Sequence, residues 1–308
     1  MSAENIVTAY PTAVPHKQKQ ELPGLDKKLS PGIEYTKLEF WHDDGKPTLV
    51  EYKGSGKLQA KTAIVTGGDS GIGRAAALMF AREGCTGITL NYLPQEQEDA
   101  NDAKAAIEAD GAKVNLVSGD LTSTAQCKAL VDSHMAKFGK LNILVNNASK
   151  QIKCKKFEDI DLQQVESTFR TNILQMFAVT KFALPHMKRG ASIINTTSVT
   201  AYKGSANLVD YSSSKGAIVA FTRSLAVQLA ARGIRANAVS PGLVITSLQA
   251  ASRDPEEMEG LGVGLPLHGR GGQPAELGPA FVFLASPDSN LMTGQVMHVN
   301  SGQHIGDS

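Results

Sequence analysis

The chain has 308 residues, room for one large domain or two small ones, and its 42% hydrophobic content suits a protein with a sizeable buried core. Its 31 basic and 30 acidic residues nearly cancel and form no aromatic-interleaved basic stripe, so nothing favours nucleic acid or an anionic membrane as a partner. No run approaches the ~20 apolar residues of a membrane helix. Residues 1–30 lack the apolar core of a secretory signal, so the expected compartment is the cytoplasm.

In chain order, residues 1–57 come first. They carry Pro11, Pro15, Pro23, Pro31 and Pro47 and no sustained periodicity, the composition of an N-terminal arm that is extended or partly disordered. Its Tyr35, Leu38, Phe40, Trp41 and Tyr52 are placed to pack on a neighbouring surface, that of another subunit included.

From Lys61 onward, short apolar runs alternate with longer amphipathic ones. The strands are expected at Thr62–Thr66, Gly87–Asn91, Val114–Val117, Leu141–Val145, Ser192–Asn195, Arg235–Val239 and Gln295–Val299. The helices are expected at Ile72–Arg82, Gln95–Ala109, Thr124–Phe138, Val165–Leu184, Ser212–Ala231 and Ala275–Leu284. This alternation predicts an α/β domain over residues 58–308, a single doubly wound Rossmann-type parallel sheet of about seven strands flanked by helices. The glycine-rich segment 243–272 reads as a lid over the substrate, with His268 a solvated loop residue. Lys150, Lys153, Lys155 and Lys156 read as a solvated basic run.

The densest signal lies between the first strand and its helix: Thr66-Gly67-Gly68-Asp69-Ser70-Gly71-Ile72-Gly73. Glycines there let the backbone turn tightly towards a pyrophosphate, and the helix N-terminus offers free N–H groups and a positive dipole. No Gly-Lys-Ser/Thr follows, so a P-loop nucleotidase is excluded. Where a carboxylate would bind a ribose diol, after the second strand, stand Asn91 and Tyr92, which tolerate a 2′-phosphate; NADP(H) is therefore expected, with NAD as the alternative. Asp120 and Leu121, after the third strand, are placed for the adenine end. Arg74 is placed either to reach a phosphate or to be solvated in the first helical turn.

Tyr211 and Lys215 fall at i and i+4 on one helix face, with Ser198 and Asn172 upstream. In company with the cradle, these residues resemble the classical short-chain dehydrogenases/reductases. The resemblance spans roughly residues 58–304 and is closest to the glucose/ribitol dehydrogenase-like branch, whose members also carry an N-terminal arm. It rests on the cradle, Asn146-Asn147-Ala148, Asn172, Ser198, Tyr211-x-x-x-Lys215 and Pro241-Gly242 with Thr246.

The resemblance implies an oxidoreductase that interconverts a small-molecule carbonyl and an alcohol. Tyr211 is then the general acid/base, and Ser198 orients the substrate oxygen. Lys215 lowers the phenol's pKa and binds the nicotinamide ribose, and Asn172 holds a relay water. Gly67, Asp69, Ser70, Gly71, Ile72 and Gly73 join Asn147, Ala148, Pro241, Gly242 and Thr246 around the cofactor. Ser149 departs from the family's Asn-Asn-Ala-Gly, which implies altered local packing. Relatives are commonly tetramers, so a homotetramer or dimer is expected. An epimerase, isomerase or dehydratase on the same fold is the alternative, as is a non-catalytic cofactor-binding protein. The three cysteines and seven histidines are dispersed, and no metal is expected.

Overall fold

The computed structural model describes residues 6–306. A short antiparallel hairpin, β1 (Lys37–Trp41) and β2 (Pro47–Glu51), precedes the main sheet. That sheet is built from β3 (Thr62–Thr66), β4 (Gly87–Tyr92), β5 (Lys113–Ser118), β6 (Leu141–Asn146), β7 (Met187–Thr196), β8 (Arg235–Pro241) and β9 (Val296–Val299). Its seven strands run in the order β5-β4-β3-β6-β7-β8-β9 with every pair parallel. Winding reverses between β3 and β6, and in a doubly wound sheet the crevice at the carboxyl ends of such a pair is where ligands sit.

Helices cover both faces, which is why β3, β4 and β8 are buried along their whole length. On one face, α1 (Gly71–Arg82), α2 (Gln97–Ala109) and α10 (Pro274–Ala285) enclose Leu58, Phe80, Ile88 and Phe281. On the other, α3 (Thr124–Phe138), α5 (Gln175–Ala183) and α7 (Val209–Leu229) enclose Leu130, Leu144, Met176 and Leu229. Each such side chain contributes roughly 1.5–3 kcal/mol by leaving water. No helix among the described residues is long and apolar enough to cross a membrane.

The helix expected over Val165–Leu184 is divided. α4 (Leu162–Phe169) passes through a π-helical turn at Arg170–Leu174 into α5, and that turn contains Asn172. The remaining short helices are α6 (Thr200–Lys203) and, within segment 243–272, α8 (Ser247–Ser252) and α9 (Pro255–Met258).

The sequence reading missed the hairpin in the arm. Its signal is Asp44-Gly45 between two short stretches of extended residues, with Gly45 at φ +75°. From residue 6 onward the arm packs on its own chain. Tyr35, Leu38 and Tyr52 lie against the core beneath α1 and α10, while Tyr10, Ala13 and Leu29 are buried. Arg270, 2% exposed, ties the hairpin to the rest: its guanidinium donates to Glu39 at 2.8 Å and to Glu276 at 2.8 and 2.9 Å, and it lies over the Tyr10 ring. His268 is half-buried, stacked on Trp41 with ring centroids 4.9 Å apart.

His134 is another buried polar group that its sequence context does not reveal. Nδ1 lies 2.8 Å from Thr89 Oγ1 and Nε2 lies 2.9 Å from Lys140 O, and burial pushes its pKa down to about 4. The unfolded chain takes up this proton near pH 6.5, before the folded one does, so folding stability is lost as pH falls from about 6.5 to about 4. A drop of about 3 kcal/mol is expected from this residue across that window. Urea unfolding of wild type and His134→Gln at pH 7 and pH 4.5 checks it: the variant should show the smaller acid loss.

Candidate active site

The loop after β3 turns into α1 through Gly67, whose φ is +60°. A Cβ at Gly73 would stand 2.0 Å from Gly67 O, so no side chain fits where the turn folds back on itself. The first N–H groups of α1 therefore open on the crevice between β3 and β6. Asn147 closes the turn from the β6 side: Nδ2 donates to Thr66 O and Gly67 O at 3.2 and 3.0 Å, while its backbone N–H donates to Thr66 Oγ1 at 2.9 Å.

At the other end of the crevice, Tyr211 and Lys215 lie one turn apart on α7, and Ser198 follows β7. Lys215 is 1% exposed; Nζ donates to Thr196 O at 3.0 Å and lies 5.4 Å from the Tyr211 ring centroid. Burial pushes the Tyr211 phenol up to about 12, and a hydrogen bond with the Ser198 hydroxyl offsets only part of that rise. Burial likewise pushes Lys215 down to about 7. Desolvation acts on both groups, raising the phenol and lowering the ammonium.

Asn172 lies behind this pair. Oδ1 accepts from Ser149 Oγ at 3.1 Å and Lys150 N at 2.8 Å, and Nδ2 donates to Lys150 O at 2.9 Å and Ser214 Oγ at 3.0 Å. The side chain stitches the loop after β6 to α7, and Ser149 supplies one of the stitches. Asp210, missed in sequence, is buried beside it, accepting from Thr168 Oγ1 at 2.8 Å and from Tyr211 N at 2.7 Å. It fixes the start of the helix that carries the tyrosine.

One cleft of about 470 Å³ joins the two ends. All the expected cofactor and catalytic residues line it except Gly73 and Asn172, so Asp120, Leu121, Ala148, Pro241, Gly242 and Thr246 share a wall with Tyr211. Leu22 and Pro23 of the arm line it too, a contribution with no sequence signal. The basic run after β6 is not simply solvated. Lys150 lines the cleft, donates to Ser167 and is lowered by burial, while Lys153 pairs with Glu257 at 2.6 Å.

At the adenine end, polar groups are largely committed to the protein. Asn91 Nδ2 donates to Val117 O and Gly119 O at 3.2 and 2.9 Å, and the Tyr92 hydroxyl donates to Gln97 Oε1 at 2.8 Å. Glu96 accepts from Leu93 N at 2.8 Å and is pushed up to about 7 by burial; Asp69, buried in the cradle, is raised as well. Arg74 does not line the cleft, because its guanidinium lies 4.4 Å over the Tyr35 ring. The cleft's cations, Lys150, Arg170 and Lys215, all belong to the elements around Asn172 and Tyr211.

Residues 67–304 match the family described as enoyl-(acyl carrier protein) reductase. A glucose and ribitol dehydrogenase of Daucus carota is 43% identical over 292 residues, 94% of this chain and 96% of its own. An NADPH-dependent aldehyde reductase 1, chloroplastic, of Arabidopsis thaliana is 46% identical over 258 residues, 82% of this chain and 89% of its own. Among solved structures, a short chain dehydrogenase from Burkholderia cenocepacia in complex with NADP shares the fold at a TM-score of 0.74 and 28% identity, covering 80% of this chain and 98% of that one. With the cradle, the buried tyrosine–lysine pair and the serine converging on one cleft, the chain belongs to the short-chain dehydrogenase/reductase family of oxidoreductases.

Proposed function

We propose that the chain interconverts a small-molecule carbonyl and an alcohol with NADP(H), and that Tyr211 is its general acid/base. The observation that carries this reading is the buried phenol of Tyr211, set with Ser198 and Lys215 in the same cleft as the glycine cradle. The dinucleotide fits the groups present. Ile72 and Gly73 begin a helix and have no preceding turn to bond, and Asp69 keeps an unpartnered, buried Oδ2 that suits a ribose hydroxyl. Support for NADP(H) comes from the missing strand-end carboxylate at Asn91, the NADPH-dependent relative and the NADP complex of the structural neighbour. NAD is the second cofactor this cleft accommodates.

The nicotinamide supplies or accepts the hydride at the substrate carbon. Tyr211, held near 12, keeps its proton at neutral pH and gives it to the oxygen on which charge develops in reduction. Ser198 donates to that same oxygen and fixes its position. Lys215, as a cation, compensates the phenolate left behind. Asp120, Leu121, Asn147, Ala148, Pro241, Gly242 and Thr246 shape the walls that hold the dinucleotide. The working unit is a homo-oligomer, a dimer or tetramer; Val227 on α7 and Leu291 ahead of the edge strand β9 are exposed apolar residues suited to such a contact.

Absorbance at 340 nm, followed with NADPH and NADH against aldehydes, ketones and sugars, is expected to fall with at least one carbonyl. Product formed from all of them without that fall would sink the redox reading. Tyr211→Phe should bind NADPH as wild type does and lose about 10²–10⁴-fold in kcat; full activity would overturn the acid/base assignment.

The pH dependence has a definite sign. Carbonyl reduction should weaken as pH rises through about 7, where Lys215 loses its proton, whereas alcohol oxidation should gain as pH rises towards the phenol's pKa. Profiles of kcat/KM in both directions read this out. The preference for NADP over NAD should also shrink as Glu96 ionises above about 7 and meets the 2′-phosphate with like charge, and Glu96→Gln should flatten the ratio of the two KM values between pH 6 and pH 8.5.

A further inference from the structure

Two elements of the cleft wall are tied together by a carboxylate from outside the family match, which begins at residue 67. Asp26 lies in the arm yet is only 5% exposed. One carboxylate oxygen accepts from the backbone N–H of Gly71 at 2.6 Å and from the Tyr35 hydroxyl. The other accepts from the backbone N–H of Ser247 at 3.1 Å. Gly71 is the first residue of α1 and Ser247 the first of α8, so one carboxylate bridges the N-termini of the cradle helix and the lid helix.

The surrounding chain holds Asp26 in place. Its own N–H donates to Asp99 Oδ2 at 2.6 Å, and the arm crosses the lid so closely at Gly24 that a Cβ there would stand 2.8 Å from Ser247 O. Gln20 N donates to Ala250 O at 3.1 Å, and Leu29 packs with Ala250 and Met258 of the lid. Leu22 and Pro23, immediately before the bridge, form part of the cleft wall.

We propose that Asp26 is a positioning residue for cofactor binding: its carboxylate clasps the lid to the glycine cradle and so sets the affinity of the cleft for the dinucleotide. By taking the Gly71 N–H, it leaves those of Ile72 and Gly73 to the pyrophosphate and fixes the register at which the phosphate meets α1. Through Ser247 it holds Thr246 over the opposite side of the same site, where Thr246 Cγ2 already lies within 3.1 Å of where a Gly71 Cβ would stand. A helix N-terminus stabilises a carboxylate, and here two helices share one. The proposal rests on the dinucleotide reading given above.

The test is fluorescence titration of the full-length chain with NADPH and NADH, together with steady-state kinetics. Asp26→Ala should raise Kd and KM for the cofactor at least tenfold and leave kcat at saturation within twofold of wild type, a split that a general loss of folded protein would not produce. Asp26→Asn keeps one acceptor oxygen, so it should raise Kd by a smaller factor and serves if the alanine variant does not fold. Tyr52→Phe loosens a different anchor of the arm, the contact with Glu83 away from the cleft, and should leave Kd unchanged. The clasp is overturned if the Asp26 variants bind cofactor within twofold of wild type, or if Tyr52→Phe raises Kd as much as they do. If wild type binds neither NADPH nor NADH, the cofactor reading itself falls and the clasp with it. Tight wild-type binding beside unaffected Asp26 variants removes only the clasp.

Discussion

Everything functional in this molecule depends on the point where a parallel sheet changes its winding direction. Because β3 and β6 are neighbours whose following segments leave towards opposite faces, a gap opens at the carboxyl ends of the two strands. The gap exposes the N-terminus of α1 on one side and the ends of β7 and β8 on the other. The glycine cradle, the serine, the tyrosine–lysine pair and the lid all attach to strand ends that face this gap.

Burial then sets the chemistry. The same desolvation that raises the Tyr211 phenol lowers the Lys215 ammonium, so the pair meets neutral pH with the phenol protonated and the lysine near its midpoint. In water the phenol would be protonated too, but the lysine would be fully charged. The geometry around them is kept by groups that never face the cleft: Asp210 at the start of α7, and the four hydrogen bonds of Asn172 that lock the π-helical turn to the loop after β6. This arrangement gives Ser149 a reason of its own, since its hydroxyl is one of those four contacts.

The strand–helix alternation and the cradle were legible in sequence because they depend on local patterns: buried apolar runs, helical periodicity, and glycines where side chains would collide. The Tyr211–Lys215 spacing was legible only in company, since an i, i+4 pair alone specifies nothing about its surroundings. What escaped were contacts between residues far apart in the chain. Glu39 with Arg270, Asp26 with Gly71 and Ser247, and His134 with Thr89 carry no periodicity and no spacing rule. The burial of the Tyr211 phenol likewise has no local signal, because burial is a property of the whole fold. The prolines of the arm suggest an extended or partly disordered segment with a few packing aromatics, while its strands β1 and β2 are short and their turn signal, Asp44-Gly45, is a single dipeptide.

The ion pair between Glu39 and Arg270 has a bearing on how the chain comes together during synthesis. The arm leaves the ribosome before the sheet, but its guanidinium partner and the helix beneath it lie far downstream, around residues 270–285. Until residues 247–285 have emerged, the arm can reach its partners on α1 and α2 but not Arg270 or the lid, so Tyr10 and Leu29 stay in water beside a growing hydrophobic sheet. Completing the arm's docking is therefore a late, long-range event, and a segment translated before the sheet acquires its last native contacts only after the sheet's final helix has emerged.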